Sequence, residues 1–433
     1  MASERECKVS VIIPTWKRGD LLRKCLESLR RQSFSDFEIM IVSNGAGEWA
    51  VQLAREFGCK MVHFPENRGF AAAVNAGVAA SKSQYVAVLN DDAELEPGWL
   101  EQCVVLLEGQ PGISFCCGKI YTIHSNKPGV IPKFRLAGAE ESALPAPGEK
   151  QIPPPRQARA RNDSDSGGAV VDDAGDALSM GGGAWRLGNG RADAAEFDGP
   201  RQLFASSMTA AIFRRTVFEK IGNLDENFIS YLEDIDFSIR AWRAGFRGMY
   251  LPQAVAQHHS GASLEAGGQG RESQARFELM TRNQLLLLTK HYPAALLLRL
   301  AARILWAQAL WLAMALRKGL LGAYAAGVWQ YMCLLHSCLL PQYIRKRTPW
   351  SKSERRAFLN WLRESERAIY EDVSSRPRPE QDTYWRMYFA LYRPRRSSGA
   401  SGVVPLQRID EEEKQQADPS SVKRSAGSFR SSG

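Results

Sequence analysis

Residues 85–92 read YVAVLNDD, five apolar residues closed abruptly by Asn90, Asp91 and Asp92. A short, wholly apolar run bounded by polar turn residues predicts a strand buried on both faces, the kind found in parallel sheets. On the amino-terminal side, 9–13 is a β-rich run closed by Pro14, and 21–29 carries Leu22, Cys25, Leu26 and Leu29 at helical spacing. A second strand over 37–42 ends at Ser43-Asn44-Gly45, and 49–57 reads as a helix. A third strand over 60–64 leads into Pro65-Glu66-Asn67-Arg68-Gly69, and 70–80 is an Ala-rich helix. Strands alternating with helices predict an α/β fold: a mixed, mainly parallel sheet flanked by helices. Its ligand site should lie beyond the carboxyl ends of the strands, where Ser43, Asn44 and 90–92 fall.

The chain has 433 residues, 44% of them apolar, and a formal net charge of +9. That balance excludes a disordered chain, a collagen-like repeat and a polytopic membrane protein, and leaves one or two globular domains. Eight cysteines without CxxC or zinc-type spacing suit a reducing cytosol. The opening MASERECK lacks the apolar core of a secretory signal, so export is not expected. Basic residues are spread along the chain and not interleaved with aromatics, which points away from nucleic acid and toward an anionic membrane face or a phosphorylated substrate.

Between 125 and 183 the texture changes to Pro153-Pro154-Pro155 and Ala/Gly runs, expected to be a mobile insertion. Order resumes near Trp185, with a strand over 203–213 and a helix over 216–221. Next come Glu233-Asp234-Ile235-Asp236 opening a helix that Gly245 stops, and a strand over 249–256 leading to His258-His259. Residues 266–350 hold two apolar stretches. The first, 294–316 with Arg299 and Arg303, reads as an interfacial amphipathic helix. The second, 319–340, is uncharged, about as long as a bilayer is thick, and basic at both flanks. A helical hairpin at the cytoplasmic leaflet satisfies both flanks; a single span, or helices covering the sheet, are the alternatives. Further helices are expected within 351–395 and a disordered tail over 396–433.

A carboxylate at a strand end facing a cleft suits Mg²⁺ or Mn²⁺, with positions left for diphosphate oxygens; Asp92 is the first choice. The competing reading is a turn that caps the next helix. Asp234, with Glu233 and Asp236 beside it, is a candidate general base, capping again being the alternative. Adjacent histidines on an extended segment point opposite ways, so at most one of His258 and His259 is a ligand.

Five segments then stand in order: VSVIIPTWKR, PENRGFAAAVNAG, YVAVLNDDAELEPGWL, FISYLEDIDFSIRAWRAGF and HHSGAS. Together they resemble the family 2 inverting glycosyltransferases of GT-A fold, nearest to rhamnosyltransferase-like and galactofuranosyltransferase-like members, over about 8–340. The resemblance implies a catalytic domain over 1–265 and a helical, membrane-associated extension. It implies Asp92 and His258 as metal ligands with Asp91 beside them, although Asn90 stands in the first acidic place. Asp234 becomes the base and Asp236 the runner-up. Pro14, Thr15, Ser43 and Asn44 would meet the nucleoside, with Ser43 replacing the usual Asp, and Asn67, Gly69 and Asn75 would edge the sugar nucleotide. For Asn67 to Asn75 the competing reading is a tight turn and a closely packed helix. The implied donor is dTDP-rhamnose or a UDP-sugar, and the acceptor a lipid-linked or polysaccharide glycan. Asn90 and Ser43 keep a second class in view: a membrane-associated scaffold that has lost turnover.

Overall fold

The computed structural model describes residues 6–123, 169–259, 271–335, 350–376 and 382–394. Its first part follows the sequence pattern closely: β1 (Val9–Thr15), α1 (Gly19–Arg30), β2 (Phe37–Asn44), α2 (Glu48–Phe57), β3 (Lys60–Phe64), α3 (Phe70–Ala80) and β4 (Tyr85–Leu89). β1 pairs in parallel with β2 and with β4, and β2 with β3. Every residue of β1 and β4 is buried. Alternate side chains feed two cores. Val9, Val11, Ile13 and Leu89 pack with α1 and with α4 (Trp99–Gly109) on one face, while Ile12, Val86 and Val88 pack under α3 on the other.

Beyond β4 the chain adds β5 (Ala93–Leu95), β6 (Phe115–Thr122), β12 (Ala210–Arg214), α5 (Arg215–Ile221), α6 (Glu233–Arg243) and β13 (Gly248–His258). β12 lies antiparallel between β4 and β6, and β13 runs parallel to β6. The result is the mixed, mainly parallel, helix-flanked sheet that the alternation predicted.

The expected insertion needs correction. Residues 124–168 lie outside the described residues, but 170–183 is built structure. β7 (Val170–Asp173) pairs antiparallel with β6, and β8 (Asp176–Leu178) pairs with β9 (Ala184–Arg186). β10 (Arg191–Ala192) continues the sheet beyond β7, and β11 (Arg201–Gln202) pairs with β13. The expected strand over 203–213 is shorter for the same reason: Ala205 is drawn off to bridge Asp176, and β12 begins only at Ala210.

The remaining helices are α7 (Arg271–His291), α8 (Ala294–Arg317), α9 (Leu321–Leu334), α10 (Lys352–Ser374) and α11 (Thr383–Leu391). α6 serves both halves. Phe237 and Ala241 pack under the sheet, whereas Ile235 and Ile239 join Leu286, Leu287, Leu296, Phe358 and Leu362. A capping box of Ser351 and Glu354 starts α10. Among the described residues α8 is the one helix long and apolar enough to cross a membrane, by length and composition. Leu296, Leu300, Ala307 and Leu310 are buried, yet Leu298, Leu305 and Leu316 are exposed, and Arg303 turns inward to pair with Glu366. α9 has 14 residues, short of the roughly 20 that span a bilayer; 336–340 of that stretch lie outside the described residues.

Asp236 sits at the centre of this junction, fully buried. Its carboxylate accepts from Arg240 Nε at 2.9 Å and His291 Nε2 at 2.7 Å, and lies 2.7 Å from Lys290 Nζ. Burial pushes this carboxyl up, but Lys290, Arg240 and His291 together hold it well below the usual range. Removing one partner of such a cluster leaves buried charge uncompensated. Asp236→Ala should therefore cost about 3–5 kcal/mol in urea unfolding at pH 7. Because the folded-state pKa is depressed, Asp236 contributes fully above the unfolded value of about 3.9 and the gap to Asp236→Asn closes as pH falls below it.

Candidate active site

The ends of β4, β7 and β13 meet in one cleft. Thr15 Oγ1, at the end of β1, donates to Asp91 Oδ2 at 2.7 Å. Burial and the neighbouring Asp92 charge push the Asp91 carboxyl up to about 6. Asp92 Oδ2 pairs with Arg18 at 2.9 Å, and its Oδ1 faces His258 Nε2 at 3.1 Å. The opposite ring nitrogen, Nδ1, lies 2.8 Å from Asp172 Oδ2, which Arg186 also reaches at 3.1 Å. Burial disfavours a charged His258, but the two carboxylates outweigh it and raise the imidazole to about 9. Burial likewise opposes ionisation of Asp92, and His258 and Arg18 bring its pKa below the usual value.

His259 turns the other way, to Glu94 Oε1 at 2.9 Å, as two neighbours on an extended strand must. Asp92 and His258 thus lie side by side, and neither is on the lining of the cavity that Asp234 faces. One carboxylate oxygen and one imidazole nitrogen suit Mn²⁺ or Mg²⁺, and a buried carboxylate on the far nitrogen is the usual companion of a metal-ligating His. Among the described residues no group of three or more His, Cys, Asp or Glu side chains could hold a metal, so diphosphate oxygens would have to complete such a site.

Asp234 lies across a cavity of about 420 Å³ whose lining includes Asn90, Asp176, Arg186, Thr209, Glu233 and Asp234. It opens α6 and accepts from Ile235 N at 2.8 Å. Burial pushes its carboxyl up to about 6, against the pull of that N–H and of Arg186. Burial raises Glu233 well above the carboxylate range, and its Oε2 has no hydrogen-bond partner. Asp236 does not line this cavity, being taken up by Arg240, Lys290 and His291.

The loop before Asp234 is strained. Ile229, Tyr231 and Leu232 all have positive φ, at 62°, 71° and 68°, a region costly for side chains of this kind. Asn283 holds it there, donating through Nδ2 to the carbonyls of Phe228, Ser230 and Tyr231 at 2.9, 2.8 and 2.7 Å. From the other side Ala71 N donates to Ile229 O at 3.1 Å. Gly69, at φ +89°, comes so close that an added Cβ would lie 2.6 Å from that same oxygen.

The remaining expected donor contacts are occupied from within. Asn44 donates to Asn67 Oδ1 and Gly69 O at 2.9 and 3.0 Å and accepts from Arg68 N. Buried Asn75 donates to Leu224 O and Glu226 Oε1 and accepts from Leu224 N, which ties α3 to the segment before α6. For Asn67, Gly69 and Asn75 the packing reading is the one the geometry favours. Ser43 is buried 3.1 Å from His63 Nδ1, and Pro14 is buried in β1.

Sequence reading missed Asp172, Asp173, Asp176 and Arg186, all within or just after the expected insertion. The pattern VVDDAGD, β-branched residues running into a Gly turn, carried the signal. The wall they form is braced from the chain's far end. Ser365 accepts from Leu178 N, Glu366 from Met180 N and Tyr388 from Gly181 N. Asp372 accepts from both Gly188 N and Trp185 Nε1.

Residues 10–155 match the family model described as Glycosyl transferase family 2. Uncharacterized protein y4gI of Sinorhizobium fredii is 27% identical over 267 residues, covering 59% of this chain and 25% of that protein. Putative glycosyltransferase EpsH of Bacillus subtilis is 29% identical over 113 residues, covering 25% and 33%. Uncharacterized glycosyltransferase YibD of Escherichia coli is 32% identical over 114 residues, again covering 25% and 33%. The chain thus spans a third or less of the length of these curated relatives. A solved structure of GalNAc-T7 with UDP, GalNAc and Mn²⁺ aligns at a TM-score of 0.48 and 14% identity, covering 78% of this chain and 59% of that one.

Because Asn283 satisfies three carbonyls at once, Asn283→Ala should cost about 1–3 kcal/mol. It should also speed amide hydrogen exchange specifically across 229–235, which mass spectrometry of the exchanging protein would read.

Proposed function

We propose that this chain is an inverting glycosyltransferase. It moves a sugar, a rhamnose-like deoxyhexose, from a nucleoside diphosphate donor such as dTDP-rhamnose or a UDP-sugar. The acceptor is a lipid-linked or polysaccharide glycan in cell-envelope synthesis. The observation that carries this reading is the cavity lined by the half-buried Asp234 and by Asn90, two positions before Asp92. The match of 10–155 to the family 2 model supports the same class of chemistry.

In this mechanism the acceptor hydroxyl oxygen attacks the anomeric carbon in line with the departing diphosphate. Asp234 takes the hydroxyl proton as the new carbon–oxygen bond forms and the bond to the diphosphate breaks, so the anomeric configuration inverts. Burial gives Asp234 a pKa of about 6, which leaves it about nine-tenths ionised at pH 7 yet more basic than an ordinary Asp, as a general base requires. Asp92 and His258 would hold Mg²⁺ or Mn²⁺, which when bound offsets charge on the leaving group. Thr15 fixes Asp91 at the same strand end.

Work at a membrane face is part of the proposal. From 294 to 335 the chain has no Asp or Glu. Leu298 (80% exposed), Leu305, Leu316, Leu321 and Trp329 (70% exposed) stand in solvent, with exposed Arg299, Arg317 and Lys318 close by in sequence. An apolar, basic surface of this kind suits the anionic cytoplasmic leaflet, where a lipid-carried acceptor would be met.

Asp234→Asn should lower kcat by about 10²–10⁴-fold while donor binding survives, whereas Asp92→Ala should weaken both; wild-type turnover in Asp234→Asn would refute the assignment. Since the base works deprotonated, wild-type kcat/KM should rise with pH through about 6 and level off above it. The membrane component is read by co-sedimentation with vesicles. Binding to phosphatidylglycerol vesicles should exceed binding to phosphatidylcholine, and Leu305→Glu with Trp329→Glu should weaken it about tenfold or more.

A further inference from the structure

β7 meets β6 through an irregularity. Tyr121 pairs with Val171 and Ile120 with Asp173, so one step along β6 corresponds to two along β7 and Asp172 is the extra residue. A β-bulge of this kind redirects a side chain that regular alternation would point elsewhere. Here the redirected group is a carboxylate with 1% exposure. Its Oδ2 lies 2.8 Å from His258 Nδ1 and 3.1 Å from Arg186, and its Oδ1 accepts from Asn189 Nδ2 at 3.1 Å. The backbone oxygen of Asp172 accepts from the same Asn189 amide at 3.0 Å. A buried carboxylate fixed at both oxygens has little freedom to turn, and neither has the imidazole bonded to it.

We propose that Asp172 is a positioning residue: delivered by the bulge, it accepts from Nδ1–H of His258 and keeps Nε2 aimed at Asp92. This rests on the reading of Asp92 and His258 as the metal-holding pair. It adds that their alignment is set by a strand well outside the motif to which His258 belongs. When a metal ion replaces the proton on Nε2, Asp172 keeps the remaining proton on Nδ1, so the lone pair stands on Nε2, the nitrogen that faces Asp92.

Two measurements on the full-length protein test this. The first is Mn²⁺ affinity by isothermal titration calorimetry with UDP present at a fixed saturating concentration. Asp172→Ala should weaken it about 10–100-fold, and Asp172→Asn, whose amide oxygen still accepts from Nδ1–H, should recover part of the loss. The second is the exchange-protected imidazole Nδ1–H proton resonance of His258, assigned by its disappearance in His258→Ala. It should persist in Asp172→Asn and vanish in Asp172→Ala without a matching collapse of the melting temperature in EDTA. An unchanged Nδ1–H resonance in Asp172→Ala overturns the inference. So does Mn²⁺ affinity in Asp172→Ala equal to wild type while His258→Ala loses it. Mn²⁺ affinity unaltered by His258→Ala would instead overturn the metal-ligand reading, and the resonance alone would then decide the role of Asp172.

Discussion

A carboxylate taken out of water has to find a cation or a hydrogen-bond donor, and this cleft brings together several that would otherwise repel one another. They are reconciled by an alternating chain in which Arg18, Asp92, His258, Asp172 and Arg186 follow one another at 2.8–3.1 Å. Each member faces opposite charge on both sides or closes an end. The order is imposed by topology: β4 supplies Asp92, β13 supplies His258, and the bulged β7 supplies Asp172. β5, which follows Asp92 directly, pairs with the end of β13 at His258, and β7, antiparallel to β6, brings Asp172 beside them.

The second carboxylate region obeys a different logic. Among the described residues no cation is bonded to Asp234, and its environment favours the neutral acid more than that of Asp92 does. The two carboxylates are thereby set apart in character, one committed to charge and the other able to change it. Such a division is the usual mark of a pair with separate duties. The left-handed residues before Asp234 indicate that its position is bought against local backbone preference. Gly69, Asn283 and the carbonyl of Ile229 lock that conformation from two sides.

Alternation of apolar runs and helical spacing made the first ninety residues readable, because β1 and β4 are buried on both faces and α1 and α2 each have one apolar side. The Asp92–His258 pairing was readable too, since both follow apolar strands and strand ends converge. What the pattern could not carry was the 170–189 wall. Its strands are two to four residues long, too short for any period, and they are stabilised by side chains more than 180 positions away. Asp236 was misjudged for a related reason. Its partners Lys290 and His291 belong to α7, and nothing in the acidic run EDID distinguishes a residue facing a cavity from one facing a helix.

The brace from α10 and α11 bears on how the protein can be handled. The match to the family model stops at residue 155, yet Ser365, Glu366, Asp372 and Tyr388 terminate backbone N–H groups of the segment that carries Arg186 and neighbours the 172–176 aspartates. A recombinant fragment trimmed at the edge of the recognised domain, or even at the end of the sheet, would leave those donors bare and the acidic wall unsupported. The distal helices thus carry part of the support of the candidate site.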